Sequence, residues 1–138
     1  MKQLLHDIAE LDYLVIGSSL KESAVEEAFD VLNASGRPDI PEELIDFLHL
    51  YNGASREDGC LWGIDDKHHS IYDIVAENLV SHNPNPDEVL LLGENTLTYI
   101  AWNSKNKKYT MIDKSSFAEL HCFETLAEAI SYVLKIIG

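Results

Sequence analysis

The spacing of apolar residues in the first half of the chain predicts three amphipathic helices, because each apolar stripe repeats every three or four positions. The stripes are Leu4, Leu5, Ile8 and Leu11, then Ala24, Val25, Ala28, Phe29 and Leu32, then Leu44, Ile45, Phe47, Leu48 and Tyr51. Residues 19–22 read Ser-Leu-Lys-Glu, the pattern of a capping box that starts the second helix. Pro41 is predicted at the first position of the third helix, and Asn52-Gly53 at its end.

The second half of the chain changes from helical spacing to the alternation that is typical of strands. The pattern predicts a polar loop over residues 54–59, a strand over 60–64, a short helix over 71–79 and a turn over 83–86. It then predicts strands over 89–93, 97–102, 109–113 and 119–123, and a final helix that starts with a second capping box at Thr125. This order predicts an α+β fold, with a single domain over residues 1–138 and an antiparallel or mixed β-sheet flanked by helices.

Composition agrees with a globular protein and narrows the classes of partner. The chain has 138 residues, of which 46% are hydrophobic and 25% are charged, enough for one core. Its 10 basic and 24 acidic residues give a net charge of −14, which opposes binding to nucleic acids and to anionic membranes. No apolar run approaches the roughly 20 residues of a membrane span and no signal peptide is recognisable, so the expected location is the cytoplasm.

Few residues form a pattern that predicts chemistry. Residues 65–69 read Asp-Asp-Lys-His-His, the densest group of potential metal ligands, but consecutive side chains diverge and the spacing of zinc sites is absent. A solvated loop is the preferred interpretation, and no metal or other cofactor is predicted. Cys60 and Cys122 lie in no paired motif, and no nucleophile–base or phosphate-binding motif occurs. The sequence therefore predicts a protein that is not an enzyme.

Acidic residues are concentrated in the first half of the chain. Residues 1–69 hold 15 acidic and 5 basic residues, whereas residues 70–138 hold 9 and 5. Most of these carboxylates are interpreted as the solvated faces of helices. The functional alternative is a negative surface that attracts a basic protein over long distances.

An ordered set of motifs resembles the SUKH superfamily, which includes the fungal Smi–Knr cell-wall regulators and many bacterial immunity proteins. The motifs are IPEEL at 40–44, FL at 47–48, YNG at 51–53, LWG at 61–63, the apolar strand at 89–94, the hairpin at 99–113 and FETL at 123–126. Together they cover about residues 39–133. Leu44 stands where the family often has an aromatic residue. Pro41, Gly53 and Gly63 are interpreted as determinants of the fold rather than as contact residues.

The resemblance implies an α+β binding domain without catalysis, which protects a bacterial cell by binding a secreted toxin, often a nuclease. An acidic surface is consistent with that role, because the active sites of nucleases are positively charged. We therefore expect a cognate basic protein toxin as the partner, with contacts from Glu57, Asp58, Asp65 and Asp66. Two alternatives stay open: a regulatory scaffold that binds endogenous partners, and a small-molecule or metal-dependent activity at residues 65–69.

Overall fold

Seven strands form one sheet whose spatial order follows the order of the chain. The computed structural model describes residues 1–17, 19–64 and 72–136, and every strand in it pairs antiparallel with the next. The strands are β1 Val15–Ile16, β2 Ala54–Arg56, β3 Gly59–Leu61, β4 Val89–Glu94, β5 Thr98–Asn103, β6 Lys108–Asp113 and β7 Glu119–Phe123. The predicted α+β class is confirmed, and the sheet is an antiparallel meander.

Helices precede, interrupt and close the meander. They are α1 Lys2–Ala9, α2 Glu22–Ala34, α3 Glu42–Leu50, α4 Ile74–Val80 and α5 Leu126–Leu134. The helices α2 and α3 lie between β1 and β2 in the chain, and α4 lies between β3 and β4. None of these described helices has the length and apolar character that crossing a membrane requires.

The helices α3 and α5 lie on the same face of the sheet. Tyr109 of β6 and Phe123 of β7 are register partners, so their side chains share that face. The hydroxyl of Tyr109 donates a hydrogen bond of 2.6 Å to Glu43 of α3. The ring of Phe123 packs against Tyr132 of α5, with 5.6 Å between ring centroids.

The opposite face of the sheet carries a second aromatic group. Tyr99 lies three residues before Trp102 on β5, and Trp102 pairs with Tyr109, so Tyr99 faces away from α3 and α5. Its ring contacts Trp62 at a centroid distance of 6.3 Å and Phe117 at 5.7 Å. The helix α4 packs against β4. The aromatic group lies beside the C-terminal end of α4.

The apolar stripes that predict the helices form the core. Leu4 and Ile8 of α1, Leu32 of α2 and Leu44 and Leu48 of α3 are buried. All four consecutive apolar residues at the start of β4 are buried as well, as expected for a strand covered on both faces. Burial of these stripes stabilises the fold through the hydrophobic effect, since each large side chain removed from water contributes roughly 1.5–3 kcal/mol.

The ends of α2 and α3 differ in part from the sequence prediction. The helix α2 begins at Glu22 after an extended Lys21 with no side-chain cap, so the predicted capping box at residues 19–22 is wrong. Pro41 is the N-cap of α3 rather than its first helical residue. At the end of α2, Gly36 adopts a φ of +72° while the amide of Arg37 bonds to the carbonyl of Leu32, a Schellman motif.

The predicted loop over residues 54–59 is wrong, because it contains strand β2 and the start of β3. Ala54 pairs with Ile16 of β1 on one side and with Leu61 of β3 on the other. Its side chain is fully buried. The capping box predicted at Thr125 is confirmed in its first half, since Thr125 caps α5 by accepting a hydrogen bond from the amide of Glu128. The Glu128 carboxylate accepts from the amide of Glu124, one residue before the cap.

A buried asparagine fixes the chain just after β3. Asn52 accepts a hydrogen bond of 2.8 Å from the amide of Ile64 and donates one of 2.8 Å to the carbonyl of the same residue. Gly63 lies against Asn52, since a Cβ added to it would come within 2.7 Å of the Asn52 Oδ1 atom. Gly63 also pairs with Asp73, which brings the start of α4 beside the end of β3.

Candidate partner-binding site

Two of the four predicted contact residues, Glu57 and Asp58, form the turn between β2 and β3. Glu57 has a positive φ of +55°, which makes this turn tight. Both carboxylates face Lys135 at the end of α5, at 3.4 Å from Glu57 and 2.5 Å from Asp58. The turn is therefore linked to α5 through a single lysine.

Asp58 has further partners inside the protein. Its Oδ2 atom accepts a hydrogen bond of 3.1 Å from the amide of Thr96 and one of 2.9 Å from its hydroxyl. The hydrogen bonds from Lys135 and Thr96 hold the pKa of the Asp58 carboxyl well below its usual value. Asp58 thus ties together the β2–β3 turn, the β4–β5 turn and α5, whereas Glu57 contacts Lys135 alone in the described part of the chain.

Arg56 strengthens the same connection. Its guanidinium donates hydrogen bonds of 2.7 Å to the carbonyl of Leu134 and 3.0 Å to that of Lys135, the last carbonyls of α5. Cations stabilise a helix at this end, because the unpaired carbonyls carry a partial negative charge. Residues 56–58 and Lys135 together form what we call the hairpin–helix latch.

Asp65 and Asp66, the other two predicted contact residues, lie outside the described residues, as does the Asp-Asp-Lys-His-His segment. Among the described residues, no group of three or more His, Cys, Asp or Glu side chains is arranged to hold a metal ion.

The solvent faces of α2 and α3 carry a set of carboxylates that we call the acidic helix face. Its members are Glu22, Glu26, Glu27 and Asp30 of α2, Asp39 before α3, and Glu42 and Asp46 of α3. All are exposed, and those within α2 and α3 lie opposite the buried stripes of their helices. Glu22 and His49 join the two helices with an Nε2–Oε1 distance of 3.0 Å.

The acidic helix face is not neutralised by neighbouring cations. Within the described residues, no Lys or Arg forms an ion pair with any of its carboxylates. Lys108, at the start of β6, contacts Glu124 instead, at 3.6 Å. The face therefore projects an uncompensated negative field into solvent.

A recess on the opposite face of the sheet was not predicted from the sequence. It has a volume of about 310 Å³, and Trp62, Glu77, Tyr99, Lys114 and Phe117 are among the residues that line it. These residues come from four separate parts of the chain, and only the topology of the sheet brings them together. The isolated aromatic residues and one glutamate on a short helix gave no sequence signal for such a site.

Comparison of the chain with protein-family models and with curated proteins gives no match.

Proposed function

We propose that this protein is a non-enzymatic binding module of the immunity type, which acts in the cytoplasm by binding a basic protein toxin and covering its active site. The observation that carries the proposal is the acidic helix face, whose carboxylates are exposed and have no Lys or Arg partner among the described residues. The resemblance of the helix and strand motifs to the SUKH superfamily supports the same class of protein.

The physical basis of the proposal is electrostatic complementarity. A toxin that cleaves nucleic acid presents a basic surface to its substrate, because the phosphate backbone contributes much of the binding. A pair of helices whose exposed carboxylates have no Lys or Arg partner among the described residues offers a competing anionic surface and steers association, which raises the association rate constant at low salt. The net charge of −14 acts in the same direction.

The contacts of the acidic residues support a division of roles between them. In the described part of the chain the carboxylates of the acidic helix face have no Lys or Arg partner, whereas Asp58 has Lys135 and Thr96 as internal partners. If Asp58 were replaced by a neutral residue, Glu57 would be the acidic partner that Lys135 keeps among the described residues. We therefore assign partner attraction mainly to the acidic helix face, and keep Glu57, Asp65 and Asp66 as additional contacts.

Co-expression with the product of the gene immediately upstream tests the proposal. The expected result is rescue of growth from that product together with a stable complex in a pull-down. Growth arrest with no complex would reject the pairing. A complex that forms without any growth phenotype would instead favour the regulatory scaffold.

Three charge-reversal variants then locate the surface, each replacing three acidic residues by lysine so that all have the same net charge. The helix variant changes Glu26, Asp30 and Asp46, the loop variant changes Glu57, Asp65 and Asp66, and the control changes Glu10, Asp87 and Glu119. We expect the helix variant to lower the association rate constant about tenfold or more at low salt relative to the control. Equal rate constants for the helix variant and the control would exclude the acidic helix face.

A further inference from the structure

The recess lies on the face of the sheet that α5 does not cover, and it combines aromatic walls with charged residues. Trp62, Tyr99 and Phe117 supply the aromatic walls, and Glu77 of α4 and Lys114 line it as well. Its volume of about 310 Å³ falls at the small end of the range for ligand pockets. It is thus large enough for one side chain or a small molecule.

Trp62 in this recess carries a buried hydrogen-bond donor. The residue is only 1% exposed, and its Nε1 atom has no hydrogen-bond partner among the described residues. A buried donor without an acceptor is costly, so native proteins satisfy such groups with a partner, a water molecule or a ligand. The Nε1 atom is itself closed to solvent, so an occupant of the recess does not reach it directly. Trp62 lines the recess, and its indole N–H signal therefore reports on an occupant.

Glu77 in the same recess is a partly buried carboxylate. Within the described residues it has no ion pair and no side-chain hydrogen bond, whereas Lys114 is paired with Glu94 at 2.9 Å. Partial burial, together with repulsion from Glu94 and Asp73, raises the pKa of the Glu77 carboxyl. A cation placed beside Glu77 would favour the ionised carboxylate and lower its pKa again.

We propose that the recess binds an arginine residue of a basic partner protein, with the guanidinium beside Glu77 and near the ring of Phe117. This inference rests on the proposed function, because it names one contact by which that partner is held. The recess and the acidic helix face are then two parts of one recognition mechanism, the face attracting the partner and the recess fixing a single residue of it.

Arginine fits this recess better than lysine. Its guanidinium is planar and weakly hydrated, so it stacks on aromatic rings and loses less hydration on burial than an ammonium group. Tyr99 already shows that its ring accepts a cation, since the Nζ atom of Lys114 lies 5.2 Å from its centroid. Phe117, which is half-buried, supplies the remaining aromatic surface, since Trp62 is almost fully buried.

Titration of the protein with a blocked arginine, Nα-acetylarginine N-methylamide, tests the proposal without the partner. The chain has two tryptophans, so a ¹⁵N-labelled sample gives two indole N–H signals. We expect a saturable shift of the Trp62 signal, with the Trp102 signal unchanged because that residue lies on the opposite face against Tyr109. The citrulline analogue, which has the same shape and no charge, is expected to shift neither signal.

Two variants test the role of Glu77, one in the recess and one as a control outside it. Glu77→Gln is expected to weaken binding of the blocked arginine about fivefold, because it removes the charge while keeping the shape of the side chain. Glu26→Gln, which changes the net charge equally on the acidic helix face, is expected to leave that binding unchanged. No shift of the Trp62 signal, or equal shifts with the arginine and citrulline compounds, would overturn the proposal.

The titration and the co-expression test can fail separately. A complex with the upstream product and an unperturbed Trp62 signal would leave the proposed function standing and reject the arginine site. A specific shift of Trp62 without any complex would keep the arginine site and reject the toxin pairing.

Discussion

The side chain of Asn78 pairs with both main-chain polar groups of Leu91. Its Oδ1 atom accepts a hydrogen bond of 2.8 Å from the Leu91 amide, and its Nδ2 atom donates one of 2.7 Å to the Leu91 carbonyl. Nδ2 also donates to the carbonyl of Ile74, one turn earlier on α4, at 2.7 Å. The side-chain amide of Asn78 thus makes the two hydrogen bonds that a neighbouring strand would make to Leu91. It does so beyond the point where the pairing of β3 with β4 ends.

Replacing Asn78 by alanine is expected to destabilise the fold strongly. Asn78 is 1% exposed, so the Leu91 amide and carbonyl would remain buried without a partner. Each unsatisfied buried group costs about 1–3 kcal/mol, and we expect a loss of roughly 2–4 kcal/mol in the free energy of unfolding. Urea denaturation followed by circular dichroism measures it.

Asn106→Ala is the matched control for this substitution. Asn106 is exposed in the β5–β6 hairpin, and we expect its replacement to change the free energy of unfolding by less than about 0.5 kcal/mol. A similar small loss for Asn78→Ala would mean that water or a rearranged β4 satisfies Leu91 without the asparagine.

Asn78 also shows where sequence reasoning ends. The apolar stripes predict the helices because amphipathic spacing is a local property, and the run of apolar residues at 89–92 predicts a buried strand for the same reason. A single asparagine within a short helix gives no sign of a partner 13 residues away. Strand β2 has only three residues and no alternation, so its conformation depends on pairing with β1 and β3.

The candidate site also has features that the sequence predicts and features that depend on the fold. The acidity of α2 and α3 and the acidic turn at Glu57 and Asp58 can be read from the sequence. The contact between Asp58 and Lys135 joins residues 77 positions apart in the chain, and the recess around Trp62 assembles residues from several elements. Only the three-dimensional fold places these groups together.

Tyr109 is expected to make the free energy of unfolding decrease at alkaline pH. Burial and the hydrogen bond to Glu43 raise the pKa of the Tyr109 phenol above its usual value of 10.0. The folded state therefore retains a proton that the unfolded state loses. We expect the free energy of unfolding to fall as the pH rises above 10, by up to about 1.4 kcal/mol per pH unit from this group.

Tyr109→Phe separates this effect from other groups that titrate at alkaline pH. The variant is expected to lose about 1 kcal/mol at pH 7, because the Glu43 hydrogen bond is absent, and to show a shallower decline above pH 10. Tyr13→Phe serves as the control, since Tyr13 is 93% exposed. Identical slopes for the two variants in urea denaturation at pH 8–11 would contradict the assignment to Tyr109.

Gly59 allows α5 to lie directly on β3. A Cβ at this position would overlap the carbonyl oxygen of Val133, and that oxygen belongs to the main chain of the helix, so it cannot move aside by rotating a side chain. We expect Gly59→Ala to displace α5 and to cost about 3 kcal/mol or more in unfolding free energy.

Gly36→Ala provides the comparison for Gly59→Ala. A Cβ at Gly36 meets no atom within 4 Å, but the φ of +72° disfavours any residue with a side chain. A loss of about 1 kcal/mol is therefore expected from the backbone conformation alone. Equal losses for the two variants in the same denaturation experiment would show that α5 shifts away from Gly59 at little cost in free energy.

The hairpin–helix latch is expected to weaken in acid. Hydrogen bonds from Lys135 and Thr96 lower the pKa of Asp58 below its usual value of 3.8, so the folded state binds a proton less readily than the unfolded state does. The stabilisation from Asp58 is consequently present above pH 3.8 and is lost as the pH falls below it. Its size is limited because the side chain is 37% exposed.

Asp58→Asn tests this through the thermal midpoint measured between pH 7 and pH 2. We expect a lower midpoint than the parent protein at pH 7 and a smaller further decrease below pH 4, since the variant has no carboxylate to protonate at this position. Asp46→Asn removes an exposed carboxylate with no ion-pair partner among the described residues and is expected to follow the parent curve. Parallel curves for Asp58→Asn and the parent protein would mean that the latch does not depend on the Asp58 charge.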